Sequence, residues 1–223
     1  MIELLPSSSR PRLLAICEPV ELTVGEVLEQ VGTPTRYVYF PTFGFVSLVT
    51  TIKGRPTLEV GMVGREGMLG TQLVLGVETA PLHAVVQGAG AAWRIGAAEF
   101  SKELARSTAL QRVLHRYVYV TMAQLASSAS CLRFHQIGPR LARWLLMTQD
   151  RAHSDNFHIT HEFLAYMLGV RRVGITTAAS ILQREGLIKY RRGEVQVLNR
   201  RGLKAAACSC YGSDRDAYTG MFG

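Results

Sequence analysis

The chain has 223 residues, of which 48 % are apolar, so two small domains can each fill a core. No run of about 18 apolar residues occurs, which excludes a helical membrane span. The net charge is +8 and unevenly placed: residues 1–134 carry 12 Lys/Arg against 10 Asp/Glu, residues 135–223 carry 13 against 7. A basic C-terminal part points to a polyanionic partner.

The start, Met1-Ile2-Glu3-Leu4-Leu5-Pro6, has no basic segment followed by an apolar one, so a signal peptide is not expected and the cytoplasm is. Residues 19–100 read as short strands. The segments 20–24, 37–40 and 57–63 alternate by twos, and 46–52, 84–87 and 91–95 are β-type runs. Turn signals separate them at Gly25, Gly32-Thr33-Pro34, Pro41, Lys53-Gly54-Arg55-Pro56, Gly64 and Gly88-Ala89-Gly90. Short strands at this spacing suggest a β-barrel or jelly roll.

From about Glu99 the period changes, and residues 101–134 contain neither proline nor glycine. Leu110, Leu114, Val118, Thr121, Leu125, Ser128 and Leu132 form a stripe close to a heptad. This stripe predicts a helix that pairs with its twin in a homodimer; the alternative packs it on the chain's own barrel. Gly138-Pro139 ends the pattern, since proline suits a helix's first turn but not its interior. The expected fold class of the whole chain is α+β, divided as 1–100 barrel, 101–136 dimer helix and hinge, and 137–223 a second domain.

In that domain Thr160 can cap a helix, Ala165 sits where two helices cross, Gly169 makes the turn and Ile175 fills the gap between them. That spacing is a helix-turn-helix signature. The outer side carries Arg171, Arg172, Val173, Thr176, Thr177, Ser180 and Arg184, a face suited to the major groove of double-stranded DNA. Gly174 either lets the helix approach the DNA backbone or is tolerated near a helix start. Residues 187–198 alternate around Arg192-Gly193-Glu194 and read as a wing, with Lys189, Arg191 and Arg192 placed for phosphates.

With the phrases Leu-Gly-Val-Arg-Arg-Val-Gly (168–174) and Leu-Gln-Arg-Glu-Gly-Leu-Ile (182–188), the chain resembles a Crp/Fnr-family transcription regulator. The resemblance implies a double-stranded β-helix (jelly-roll) sensor barrel, a long dimer helix and a winged helix-turn-helix. It also implies a homodimer on a two-fold symmetric DNA site, in contact with RNA polymerase. Residues 64–70, including Glu66, Gly67, Leu69 and Gly70, resemble the start of the family's phosphate cassette. Where cyclic-AMP-binding members have Arg-Ser, this chain has Leu82-His83, and where they contact adenine it has Leu125-Ala126. Without the arginine a cyclic phosphate loses its charge partner, so the effector is unknown and not expected to be cyclic AMP.

The family's iron–sulfur members use a set of N-terminal cysteines, and here only Cys17 stands there. Of the remaining cysteines, Cys131, Cys208 and Cys210, the pair Cys208-x-Cys210 could hold a metal or sense redox state. Two sulfurs do not complete a tetrahedral site, so no metal and no cofactor is expected. A cupin-like enzyme would need several histidines on facing strands, and the barrel region has His83 alone. The expectation is therefore a regulator and not an enzyme. The competing reading is a ligand-sensing or protein-interaction module without DNA binding.

Overall fold

The computed structural model describes residues 1–51 and 57–223. The expected turn at 53–56 and the end of the 46–52 strand lie outside the described residues. The chain divides into two compact units: residues 1–48, 61–124 and 217–223 form one, and residues 49–60 and 125–216 the other.

The first unit holds a short helix α1 (Arg10–Leu14), the strands β1 (Glu18–Leu22), β2 (Val27–Glu29) and β5 (His83–Gly96), and the larger part of β3 (Tyr37–Thr50) with the last residues of β4 (Leu58–Val63); residues 49–50 of β3 and 58–60 of β4 belong to the second unit. The sheet order is β1-β5-β3-β4, with β2 also on β5. β1 runs antiparallel to β5, from Glu18 opposite Arg94 to Leu22 opposite Gly90. Alternation along the strands sorts side chains into two cores. Tyr39, Val46, Ala84, Val86 and Ala92 meet Leu22 and Leu69 in one. Val38, Phe40 and Ile95 meet Phe100, Leu104, Leu110 and Leu114 in the other.

Two expected turns are strand interior instead. Pro41 lies within β3, and Gly88-Ala89-Gly90 within β5. These glycines serve close approach: a Cβ on Gly88 would fall 2.4 Å from Phe45 Cδ1, and one on Gly90 2.1 Å from the Phe43 carbonyl oxygen.

The helical stretch is broken once. Helix α2 (Ala97–Arg106) ends at Ser107, which is extended, and α3 runs Thr108–Phe134. The stripe expected at a dimer interface is in part core of the chain itself. Leu110 and Leu114 are 2 % and 0 % exposed in the barrel-side core, and Val118 packs against it. Thr121, Leu125, Ser128 and Leu132 are half-buried. Leu110 and Leu114 are therefore not dimer residues: sheet and α2 offered them an apolar surface within reach, and burial there removes them from any interface. The exposed stripe is the same pattern moved by one residue: His115, Tyr119, Met122, Ala126, Ala129 and Arg133. One residue is a rotation of about 100° around a helix.

In the second unit, α4 (Ile137–Ala152) takes Gly138-Pro139 into its first turn. It is followed by β6 (Asn156–His158), α5 (His161–Leu168), α6 (Arg172–Arg184), β7 (Ile188–Arg191), β8 (Glu194–Val197), α7 (Arg200–Ala206) and α8 (Cys210–Phe222). The strands form a three-stranded sheet in the order β6-β8-β7. Leu141, Leu145, Leu164, Ile175, Ile188 and Leu203 are each at most 1 % exposed and make its core. Helix α8 begins in this unit and ends in the first.

Candidate nucleic-acid interface

The turn between α5 and α6 follows from its residues. The Thr160 hydroxyl accepts the Phe163 N–H at 3.1 Å and caps α5. Gly169 closes the helix at φ +61°, and Val170 N donates back to the Ala165 carbonyl at 3.0 Å, a Schellman-type stop. Ala165 is buried and Ile175 fully so, as the spacing predicts.

The structure brings the predicted contact residues onto one surface. Arg171, Arg172, Val173, Thr176, Thr177, Ser180 and Arg184 are all exposed at the start or outer side of α6. Val173 is 68 % exposed, a large apolar group turned to solvent. Not every hydroxyl is equally available. Thr177 Oγ1 donates to the Val173 carbonyl at 3.0 Å. Thr176 Oγ1 donates to the Arg172 carbonyl at 3.1 Å and lies 3.0 Å from His161 Nδ1, so it braces the fold. Gly174 faces inward: a Cβ there would lie 2.6 Å from Ile137 Cδ1. Its smallness lets α6 approach α4, and neither DNA approach nor simple tolerance is needed to account for it.

The wing is a two-residue hairpin in which Arg191 pairs with Glu194 across Arg192 and Gly193. Both turn residues have positive φ, +52° at Arg192 and +86° at Gly193. This is the primed type of turn that matches strand twist. Lys189, Arg191 and Arg192 are exposed. His161, Tyr190 and Thr176 tie wing to helices. The His161 and Tyr190 rings stack 4.3 Å apart, and Tyr190 Oη donates to the Ile159 carbonyl at 2.6 Å. Burial, and then the positive charge of Arg172, lower the His161 pKa below its ordinary value.

The residues proposed for an effector line neither of the two clefts described in the first unit. Leu69 is buried in the sheet, exchanging backbone bonds with Tyr39 at 2.9 and 3.2 Å. Gly67 is covered by Tyr117, whose hydroxyl would be 2.0 Å from a Cβ placed there. Glu66 Oε1 accepts from Gly64 N at 3.3 Å, and its carbonyl accepts from Tyr218 Oη at 3.1 Å. Gly70 turns the chain at φ +93°. Leu82 and His83 are half-buried at the start of β5, where His83 Nδ1 accepts from Val31 N at 3.4 Å. Leu125 belongs to the other compact unit. A cleft of about 570 Å³ in the first unit is lined instead by Glu29, Gln30, Thr35, Arg36, Tyr37 and Tyr39 among others. Inside it Glu29 accepts from Gln72 Nε2 at 2.7 Å and from Thr35 Oγ1 at 3.0 Å, and burial raises its pKa.

Sequence reasoning missed one group of chemically able side chains. Cys131, His135, Cys208 and Cys210 come together in the second unit. The available signal was Cys131-x-x-x-His135, two ligands one helical turn apart, beside Cys208-x-Cys210.

Residues 139–206 match the family model of the Crp-like helix-turn-helix domain. A search of curated protein sequences found no match. Among solved structures, FixK2 from Bradyrhizobium japonicum is 15 % identical, with TM-score 0.71, covering 86 % of this chain and 98 % of its own. A transcriptional regulator of the CRP/FNR family from Thermus thermophilus is 23 % identical, with TM-score 0.66, covering 85 % and 98 %. The c-di-GMP-responsive global regulator CLP from Xanthomonas campestris is 18 % identical, with TM-score 0.64, covering 86 % and 99 %. At these identities the likeness is one of fold.

Proposed function

From a chain that carries a Crp-like helix-turn-helix domain on the fold of Crp/Fnr-type transcription regulators, we propose a cytoplasmic homodimer that binds a two-fold symmetric DNA operator and contacts RNA polymerase. The observation that carries the DNA reading is the surface of α6 and the wing. Arg171, Arg172, Thr177, Ser180 and Arg184 are exposed together, and Lys189, Arg191 and Arg192 extend the same basic character along the hairpin. Arginine presents paired donors to guanine, and the wing cations suit phosphates. Val173 would offer an apolar contact of the kind a thymine methyl accepts.

The homodimer rests on the exposed α3 stripe through Tyr119, Met122, Ala126 and Ala129, whose small residues let two helices approach closely. Cyclic AMP is not the proposed effector. Leu82 and His83 supply no permanent cation for a phosphate, and Tyr117 covers Gly67. Any small-molecule effector would then enter elsewhere, and the cleft beside Glu29 has room for one.

Fluorescence anisotropy of the full chain on DNA from upstream of its own coding region, against a shuffled duplex across a salt series, tests this. The expected result is selective binding with a steep salt slope. Weak binding that does not distinguish the two duplexes, unchanged when Arg172 and Arg192 are replaced, would favour the protein-interaction reading instead.

A further inference from the structure

We propose that Cys131, His135, Cys208 and Cys210 are the four ligands of a tetrahedral zinc-class ion that fixes the C-terminal corner of the second unit. Their ligand atoms all lie within 4.8 Å of one another. Cys131 Sγ is 3.5 Å from Cys208 Sγ, and Cys210 Sγ is 3.5 Å from His135 Nδ1. Metal–sulfur bonds of about 2.3 Å and metal–nitrogen bonds of about 2.0 Å in a tetrahedron put sulfurs about 3.8 Å apart, and sulfur and nitrogen about 3.5 Å apart. Two of the separations, at 3.5 Å, therefore already stand close to what one ion requires, and the others, none above 4.8 Å, need only a small inward shift of the side chains to meet it. A cluster of several irons would spread its cysteines further, because the irons themselves lie between them.

Local structure explains why the four converge. Cys131 is on the last turn of α3 and His135 follows four residues later, with His135 N donating to the Cys131 carbonyl at 3.1 Å, so both project from one face. Cys208 lies between α7 and α8, and its N–H is held by the Pro139 carbonyl at 3.2 Å. Cys210 opens α8. All three cysteines are buried, so access by bulk water does not compete with a metal there.

A second observation, independent of the spacing, is charge. Arg140, next in the chain to the Pro139 that holds Cys208 and within electrostatic reach of Cys131 and Cys208, is only 7 % exposed, and its guanidinium donates to the Leu168 carbonyl, a neutral acceptor. Arg143 has its own carboxylate, Asp214, at 2.5 Å. A buried cation asks for a counter-charge. Three thiolates and a neutral imidazole around one dication carry a net charge of about −1, which supplies one. Three neutral thiols would not. The soft, sulfur-rich set selects zinc over magnesium or calcium, and the closed fourth position marks a structural site, not a catalytic one.

The site joins the end of α3, the 135–136 break and the α7–α8 corner. It would hold the C-terminal helix to the linker in front of α4. Binding would take up metal as the three thiols release their protons, so that affinity falls in acid. It does not depend on the DNA-binding reading.

The test is metal analysis of the full chain purified under reducing conditions without chelator, followed by cobalt substitution. One zinc per chain is expected, with three thiols shielded from a thiol reagent until a chelator is added. Cobalt should give thiolate charge-transfer bands and the intense d–d bands of a tetrahedral ion. The Cys208→Ser/Cys210→Ser double variant should lose the ion, and His135→Cys should keep it. Wild-type protein without stoichiometric zinc that stays colourless with cobalt would overturn the proposal, and needs no variant to fold. So would iron with acid-labile sulfide, a Cys131–Cys208 disulfide in place of metal, or full zinc occupancy in the double variant.

Discussion

The imidazole of His161 lies stacked on the Tyr190 ring at an interplanar angle of 27°, joining the first turn of α5 to the first strand of the wing. Thr176 donates its proton to the Arg172 carbonyl, so it accepts from His161 Nδ1. The other ring nitrogen, Nε2, is then an unprotonated buried atom with no partner among the described residues. A second proton there would be an unsatisfied buried N–H beside Arg172. This is the structural basis of the lowered His161 pKa. Because the folded pKa lies below the ordinary 6.5, the unfolded chain binds the extra proton first. The stability this contact contributes is whole above pH 6.5 and is lost as pH falls through it toward the folded value. Thermal melts across this range should show Tm falling on the acid side. In His161→Phe, which keeps the stack and cannot titrate, that part of the fall should vanish.

Helix and wing should separate by experiment. Arg172→Ala should cost about 1–3 kcal/mol of affinity for the preferred site and relax its sequence preference. Arg191→Ala should weaken binding to all duplexes alike and reduce the salt slope by about 1. Both side chains are exposed, so Tm should hold within the range of ordinary surface changes. Anisotropy titrations on matched and shuffled DNA at several salt concentrations distinguish the two patterns.

The wing tip trades stability for charge. Arg192 sits at φ +52°, where a non-glycine residue is disfavoured by about 1 kcal/mol. Arg192→Asn, a residue that tolerates this turn position, should raise Tm by about 2–4 °C. The same change should weaken DNA binding by the loss of a phosphate contact. Calorimetry and anisotropy on one preparation give both signs.

The α3 stripes make opposite predictions. Leu114→Ala should destabilise the chain by about 2–5 kcal/mol, because it empties a fully buried site. It should leave the association state unchanged. Met122→Glu, at a residue 64 % exposed, should leave the Tm of the monomer nearly unaltered and shift sedimentation from dimer to monomer. A dimer that persists in Met122→Glu but dissociates in Ser128→Glu or Leu132→Glu would restore the stripe read from the sequence.

What was legible in the sequence was local. Ala165, Gly169 and Ile175 lie within eleven residues, and each states its own requirement for size or backbone angle. The wing declares itself by alternation around Arg192-Gly193. What was not legible depended on partners distant in the chain. Two stripes of identical spacing run along α3, one residue out of step, and only the position of the sheet decides which turns inward. The more apolar one did. Gly88 and Gly90 read as a turn because the close approach of Phe43 and Phe45, on another strand, leaves no mark on their neighbours. Cys131 and Cys208 are 77 residues apart, and each pair of ligands is incomplete until the fold joins them.

For any molecule directed at the Gly67 backbone, the Tyr117 ring over Gly67 would make entry and side-chain motion a single equilibrium. A molecule that reaches the Gly67 backbone must meet a chain in which the ring has swung away, so its apparent affinity is the intrinsic one multiplied by the fraction of chains in that state. A smaller residue at 117 would remove that competition and tighten such a ligand, while leaving a gap in the core that Tyr117 shares with Leu114 and Phe100. Toward such a ligand the ring would act as a tethered competitor, whose effective concentration the ligand has to overcome.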